Sequence, residues 1–253
     1  MWLLKGAEFA DYFWPAVEQY VECTHEYWRS NGKFTPNITL RLASGGYIGG
    51  GLYHSQNLEG ALTTLPGARI VCPSFADDAA GLLRTSMRSK GFTLYLEPKA
   101  LYNSVEAAAV VPEEFEVPFG KARIRREGTD LTIITYGNTT HFCLDVAERL
   151  AREGVGSVEV IDLRSLIPLD KEAIFASVRK TGKVMVVHED KVFSGFGAEI
   201  AAQIAGEMFR YLDAPVQRVG STFTPVGFNP ILERAILPND EKIYKAAKEL
   251  LEF

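Results

Sequence analysis

The chain has 253 residues, 47% of them apolar and 23% charged, the balance of a globular protein rather than a disordered one. Its net charge of −5, from 27 basic and 32 acidic side chains, disfavours a general nucleic-acid binder. No apolar run reaches the roughly eighteen residues of a membrane span, Met1-Trp2-Leu3-Leu4-Lys5 is too short for a signal peptide, and Cys23, Cys72 and Cys143 form neither a disulfide framework nor a CxxC pair.

That cysteine usage fits a reducing compartment, either a bacterial cytoplasm or a mitochondrial matrix. The segment from Glu8 to Val17 is dense in aromatics and leads into a helical stretch through Trp28. Apolar material begins at once, as though the chain joined an element already under way. A turn at Ser30-Asn31-Gly32-Lys33 precedes an alternating strand over Ile38–Leu42. The strand enters Ser44-Gly45-Gly46-Tyr47-Ile48-Gly49-Gly50-Gly51, a loop with five glycines. A helix is expected near Leu58–Thr64, a buried strand over Ala68–Pro73, a helix over Asp77–Lys90 and a strand over Phe92–Leu96. Strands and helices alternate, so the architecture is α/β.

Residues 113–128 read as a linker, with Pro112 and Pro118, an acidic pair at Glu113-Glu114 and a basic cluster at Lys121, Arg123, Arg125 and Arg126. A first domain is therefore placed at 1–112 and a second at 129–253. The second unit is the more regular. Strands are expected at Leu131–Thr135, Ser157–Ile161, Lys183–His188 and Val216–Val219. Helices fall between and after them at Thr140–Glu153, Asp170–Arg179, Gly197–Phe209 and Asp240–Leu251. Single helices between strands imply parallel pairing with right-handed crossovers.

The glycine-rich loop has two readings. It is a strand-to-helix turn needing positive φ, or a close backbone approach to a ligand. No Gly-Lys-Ser/Thr follows and no GxGxxG spacing is present, so the turn is favoured. The four histidines, His25, His54, His141 and His188, show no zinc-ligand spacing, and no metal site is expected. His25 and His141 fall in helices, and His188 ends a strand and reads as packing. His54, which follows the glycine loop, is a plausible cleft imidazole able to move a proton near neutrality. A hydrolase triad gains no support, since there is no Gly-x-Ser-x-Gly elbow.

Tyr53-His54-Ser55-Gln56 carries a resemblance. With Phe9-Ala10-Asp11-Tyr12 and Pro15-Ala16, Glu97-Pro98-Lys99 with Leu101-Tyr102, Ile161-Asp162-Leu163-Arg164, and Gly195-Phe196-Gly197-Ala198-Glu199-Ile200, the chain resembles the beta subunits of thiamine-diphosphate-dependent 2-oxo acid dehydrogenases. Asp213-Ala214-Pro215 and Ile236-Leu237-Pro238 extend the likeness to the C-terminus. Glu97-Pro98-Lys99 resembles the branched-chain, 2-oxoisovalerate type, with pyruvate or acetoin types next. A non-catalytic assembly module is the reading from a different class.

The resemblance implies an incomplete transketolase-like pyrimidine-binding domain followed by a transketolase C-terminal domain, each with a mainly parallel sheet. It implies oxidative decarboxylation with acyl transfer to a lipoyl group. The expected assembly has two alpha and two beta subunits, with a lipoyl acyltransferase as a third partner. Thiamine diphosphate is expected between alpha and beta, its magnesium held mainly by alpha. His54 matches the family's proton-handling histidine, and Tyr12 and Phe9 its aromatics beside the aminopyrimidine. Glu8 lies on the same cofactor side, without standing for the glutamate that the family carries in a preceding N-terminal segment. That segment is not in this sequence, so a truncated subunit is expected, inactive alone. Some members hold potassium at a loop bearing Asp and Asn. Here it reads Arg88-Ser89-Lys90-Gly91, which makes such a site doubtful. Glu233, Asp240, Glu241 and the terminal carboxylate of Phe253 are expected as acidic anchors for a basic domain of the acyltransferase.

Overall fold

The computed structural model describes residues 3–253; Met1 and Trp2 of the opening patch lie outside them. Strand β1 (Leu3–Ala7) leads through a 3₁₀ turn at Ala10–Ala16 into helix α1 (Val17–Arg29). Strand β2 (Ile38–Ser44) enters the glycine-rich loop, followed by a 3₁₀ turn at Gly51–Tyr53 and the short helix α2 (Glu59–Leu62). Next come β3 (Ala68–Val71), α3 (Ala76–Arg88) and β4 (Phe92–Pro98). The second half runs β5 (Arg123–Arg126), β6 (Leu131–Thr135), α4 (Thr139–Arg152), β7 (Val158–Asp162), β8 (Ser165–Ile167) and α5 (Lys171–Thr181). It closes with β9 (Val184–Lys191), α6 (Phe196–Glu207), β10 (Gln217–Ser221), α7 (Pro230–Ile236) and α8 (Asp240–Glu252).

Two five-stranded sheets result, ordered β1-β2-β4-β3-β8 and β10-β9-β6-β7-β5. In each, the strands pair in parallel except for the last named, which is antiparallel. Parallel strands are covered on both faces and so read as unbroken apolar runs; every residue of β6 and β7 is buried. The helices that cover them present one apolar stripe, such as Cys143, Val146, Ala147 and Leu150 on α4. Local chemistry fixes their ends. The Asp170 carboxylate accepts from the Ala173 N–H at the start of α5, and Gly182 turns left-handed at its end.

The structure departs from the sequence reading in four places. β1 precedes the aromatic segment and pairs with β2. The stretch expected to be linker contains β5, which pairs with β7 and belongs to the second sheet. β8 leaves the second half and pairs antiparallel with β3 of the first sheet. The helix expected at Leu58–Thr64 contracts to α2. Because of β8, the two halves are not simply joined end to end. One apolar core runs through both, bringing Leu42, Ile70, Leu94 and Leu96 together with Ile134, Ile161, Val186 and Ile200. Fully burying each such side chain contributes about 1.5–3 kcal/mol.

Charged groups stitch the same seam. The buried Asp78 carboxylate on α3 accepts from Arg164 at 2.7 Å and from Arg125 of β5. Arg125 also bonds Asp162 at the end of β7 at 2.8 Å, and Ser74 donates to Asp162 at 2.9 Å. The basic cluster of the expected linker is thus partly internal wiring. Among the described residues, no helix is long and apolar enough to cross a membrane.

Candidate functional site

The 3₁₀ turn at Ala10–Ala16 buries Ala10 and Phe13 and so turns Tyr12 outward, 58% exposed. Forty-two positions later, the turn at Gly51–Tyr53 delivers His54 to the same place. The Tyr12 hydroxyl lies 3.2 Å from His54 Nε2. The Phe9 ring meets the imidazole edge-on, with centroids 4.4 Å apart. Behind Phe9 stands Lys99, its Nζ 5.4 Å from the ring centroid. Asp11 fastens the two segments together, because its Oδ1 accepts from the Gln56 N–H at 3.1 Å. Phe9 and Lys99 line a cleft of about 610 Å³ together with Glu8, Arg41, Glu97 and Tyr102, and Tyr12 and His54 gather on the Phe9 ring beside it.

Lys99 is 8% exposed and donates to the Ala43 carbonyl at 3.2 Å. Burial pulls its ammonium down to about 8, against the opposing pull of Asp11 and Glu189. Arg41 and Glu97 form a bidentate pair at the cleft wall, and the Tyr102 hydroxyl donates to Glu97 at 2.8 Å.

The glycine-rich loop resolves toward its turn reading. Gly45, Gly49 and Gly51 have positive φ, which glycine adopts without strain. Three of the loop's backbone donors are already engaged by carboxylates. Gly46 N–H donates to Glu189, and Ile48 and Gly49 N–H both donate to Glu233 at 3.2 Å. Glu233 is 7% exposed, so it sits as an internal clamp and leaves the set of solvent-facing anchors. Asp240 and Glu241 do face solvent, each in an exposed ion pair within the chain, to Arg234 and Arg149 respectively, at 2.9 Å. Phe253 is 75% exposed. The structure thus brings together Phe9, Tyr12, His54 and Glu8, while Asp240, Glu241 and Phe253 belong to the α8 face.

Several residues escaped the sequence reading. Glu189 and Asp190, at the end of β9, are buried beneath the loop and α2; Asp190 accepts from the Gly60 N–H at 3.0 Å. Glu59 is also buried; Tyr136 donates to its Oε1 at 3.3 Å, and its Oε2 has no partner among the described residues. Burial, then the neighbouring Asp190 carboxylate, push Glu59 up to about 8. The available signal was position, since strand C-termini in open α/β sheets gather functional groups. His188 is fully buried against Tyr136, and burial lowers it to about 4, so the ring is neutral. Gly197 exists to admit it, because a Cβ there would stand 2.3 Å from the ring. His141 bonds the Ser74 carbonyl at 2.8 Å, and His25 is exposed.

Thiamine diphosphate fits this surface in one half only. The Phe9 and Tyr12 rings beside the cleft suit a flat heteroaromatic ring. Three of the loop N–H groups that could cradle a diphosphate are taken by Glu189 and Glu233. No group of three or more His, Cys, Asp or Glu side chains could hold a metal among the described residues. At the loop where a monovalent cation was doubtful, the Lys90 carbonyl accepts from the Arg69 guanidinium.

Comparison with known proteins places the chain among relatives. Residues 3–105 match the transketolase pyrimidine-binding domain, and residues 120–243 match the transketolase C-terminal domain. The 2-oxoisovalerate dehydrogenase subunit beta of Bacillus subtilis is 40% identical over 248 residues, 97% of this chain and 75% of the relative. The mitochondrial 2-oxoisovalerate dehydrogenase subunit beta of Dictyostelium discoideum is 40% identical, over 96% of this chain and 66% of its own. A pyruvate dehydrogenase E1 component subunit beta from Staphylococcus aureus is 41% identical over 225 residues, 89% of this chain and 68% of its own. Among solved structures, a split-gene transketolase, described as an inactive beta4 tetramer, superposes with a TM-score of 0.73 at 22% identity. It covers 98% of this chain and 75% of that one, and it shares the fold.

Proposed function

We propose that this chain, which belongs to the family of thiamine-diphosphate-dependent 2-oxo acid dehydrogenase beta subunits, contributes the pyrimidine side and a proton-donating histidine to a site completed by an alpha subunit. The observation that carries the reading is the convergence of Phe9, Tyr12 and His54 on one another beside the cleft that Phe9 lines, held by Asp11 and backed by Lys99. The 2-oxoisovalerate type is favoured over the pyruvate type because the match to those relatives spans 248 residues rather than 225 or 226.

Bound thiamine diphosphate supplies the electron sink that decarboxylation of a 2-oxo acid requires. This chain's residues do the rest on their side. Phe9 and Tyr12 offer ring faces and edges that orient the pyrimidine, with Glu8 at the rim of the same cleft. Lys99 places a cation beneath Phe9. Opening of the lipoyl disulfide in acyl transfer would leave one sulfur as a thiolate that needs a proton. His54, half-buried beside Phe9 with its Nε2 tethered to Tyr12, is placed to supply it. A positioned general acid of this kind contributes about 10²–10⁴-fold to its step.

Diphosphate and magnesium fall to the alpha subunit in this reading, which is supported by the engaged state of the glycine loop. Two alpha and two beta chains form the working assembly. The acyltransferase docks on the α8 face through Asp240, Glu241 and the Phe253 carboxylate. Bacterial and mitochondrial relatives support a bacterial cytoplasm or a mitochondrial matrix as the location. The test is turnover of a panel of 2-oxo acids by this chain reconstituted with an alpha subunit and thiamine diphosphate. Turnover of 2-oxoisovalerate above pyruvate supports the branched-chain type; the reverse order assigns the pyruvate type.

A further inference from the structure

The loop that delivers His54 leaves β2 of the first sheet, yet the second half of the chain shapes it. The segment from Phe228 to Pro238 lies along its length. Glu233 Oε1 receives both the Ile48 and the Gly49 N–H, each at 3.2 Å. The Tyr47 hydroxyl donates to the Pro238 carbonyl at 2.6 Å. A Cβ at Gly46 would stand 2.7 Å from Leu237 Cδ1, and one at Gly51 would stand 3.4 Å from the Phe228 side chain. At Gly50 the chain has little slack. A Cβ at Gly50 would stand 2.8 Å from the His54 carbonyl oxygen, so Gly50 and His54 are packed against each other across the turn.

We propose that Glu233 is a positioning residue for His54, a clamp from the C-terminal domain that fixes the loop and thereby the imidazole at the cleft. The bond pattern separates it from ordinary packing, because one carboxylate oxygen satisfies two successive loop donors that have left strand β2. Two successive N–H groups aimed at one acceptor form a concave donor pair. Filling that pair locks the backbone two to three residues before the turn that carries His54. The catalytic consequence rests on the reading of His54 as the proton donor in acyl transfer. Loss of the clamp displaces the imidazole, and a displacement of about 1 Å at a reacting group can cost ~10²-fold.

Two variants and two readouts test this. Glu233→Ala removes the acceptor, whereas Glu233→Gln keeps an oxygen able to receive both N–H groups. By hydrogen exchange on the chain itself, Ile48 and Gly49 should exchange at least tenfold faster in Glu233→Ala, with β6 and β7 unchanged, and within about threefold of the parent in Glu233→Gln. In the assembled enzyme, the ratio of acyl transfer to decarboxylation, the latter read with an artificial electron acceptor, should fall about tenfold to a hundredfold in Glu233→Ala and be largely restored in Glu233→Gln. Equal behaviour of the two variants, or an unchanged ratio with a loosened loop, overturns the proposal. If Glu233→Ala does not fold, Glu233→Asp, whose shorter side chain withdraws the carboxylate from the two N–H groups, should give the same two changes at smaller size; no change in either would equally overturn it. If the parent enzyme turns over no 2-oxo acid, the functional reading falls, while the exchange readout still decides whether Glu233 holds the loop.

Discussion

Glu59 is a carboxyl group withdrawn from water, and its energetics depend on pH. It is raised to about 8 by burial and by Asp190, so the folded protein holds its proton more tightly than the unfolded chain does. Such a group stabilises the fold fully below its ordinary carboxylate range. That contribution is lost as pH rises from there through the folded value. Glu59→Gln should therefore raise the melting temperature at pH 9 and leave it nearly unchanged at pH 5. An equal shift at both pH values would show that Glu59 is not protonated in the folded state. His54 invites a different experiment. Its contacts are a tyrosine hydroxyl and two aromatic edges at a cleft, so His54→Ala should fold and assemble. It should depress acyl transfer to lipoyl about 10²–10⁴-fold and spare decarboxylation measured with an artificial acceptor. Equal small losses in both assays would return His54 to a structural role.

The antiparallel strands β5 and β8 carry the join between the halves, and Asp78 is its ionic centre. Removing one member of a buried ionic cluster costs about 3–5 kcal/mol, because the remaining charges keep their desolvation penalty and lose their partner. Asp78→Ala should lower the free energy of unfolding by about that amount in urea titration, since Arg125 and Arg164 both lose an acceptor. A change below 1 kcal/mol would mean that water or Asp162 replaces it. These elements also mark where sequence was hard to read. The parallel strands β3, β4, β6, β7 and β9 announced themselves as apolar runs, and α3, α4 and α8 as apolar stripes. Arg-Ile-Arg-Arg in β5 carries neither signal. Arg123 and Arg125 are admitted to the seam by Asp78 and Asp162, which lie far away in the chain. β8 has three residues, too few for any period, and its partner is fixed by tertiary contact. At the site, Phe9, Tyr12 and His54 were legible through resemblance. Glu189 and Glu233 were not, because a carboxylate serving as an acceptor for loop N–H groups looks like any other acidic residue until the fold closes around it.

At the scale of the molecule, the two ends of the chain face different partners in this account. Asp240 and Glu241 sit in the first turn of α8, where negative charge is favoured, and their ion pairs to Arg234 and Arg149 are solvent-exposed. Exposed pairs of that kind are worth about 0–1 kcal/mol, so a basic docking domain can compete for the carboxylates. Glu241→Lys together with Asp240→Lys should weaken binding of the acyltransferase and flatten its salt dependence while leaving decarboxylation intact. Unchanged affinity would place the docking face elsewhere. The proposed site is assembled from two chains, with this one supplying Phe9, Tyr12 and His54. Carbon dioxide release from 2-oxoisovalerate, measured with this chain alone, with an alpha subunit alone and with the two combined in thiamine diphosphate and magnesium, tests that most directly. Release by the combination and by neither chain alone is the predicted result. Release by either chain alone, or none from any 2-oxo acid when both are present and assembled, would contradict it.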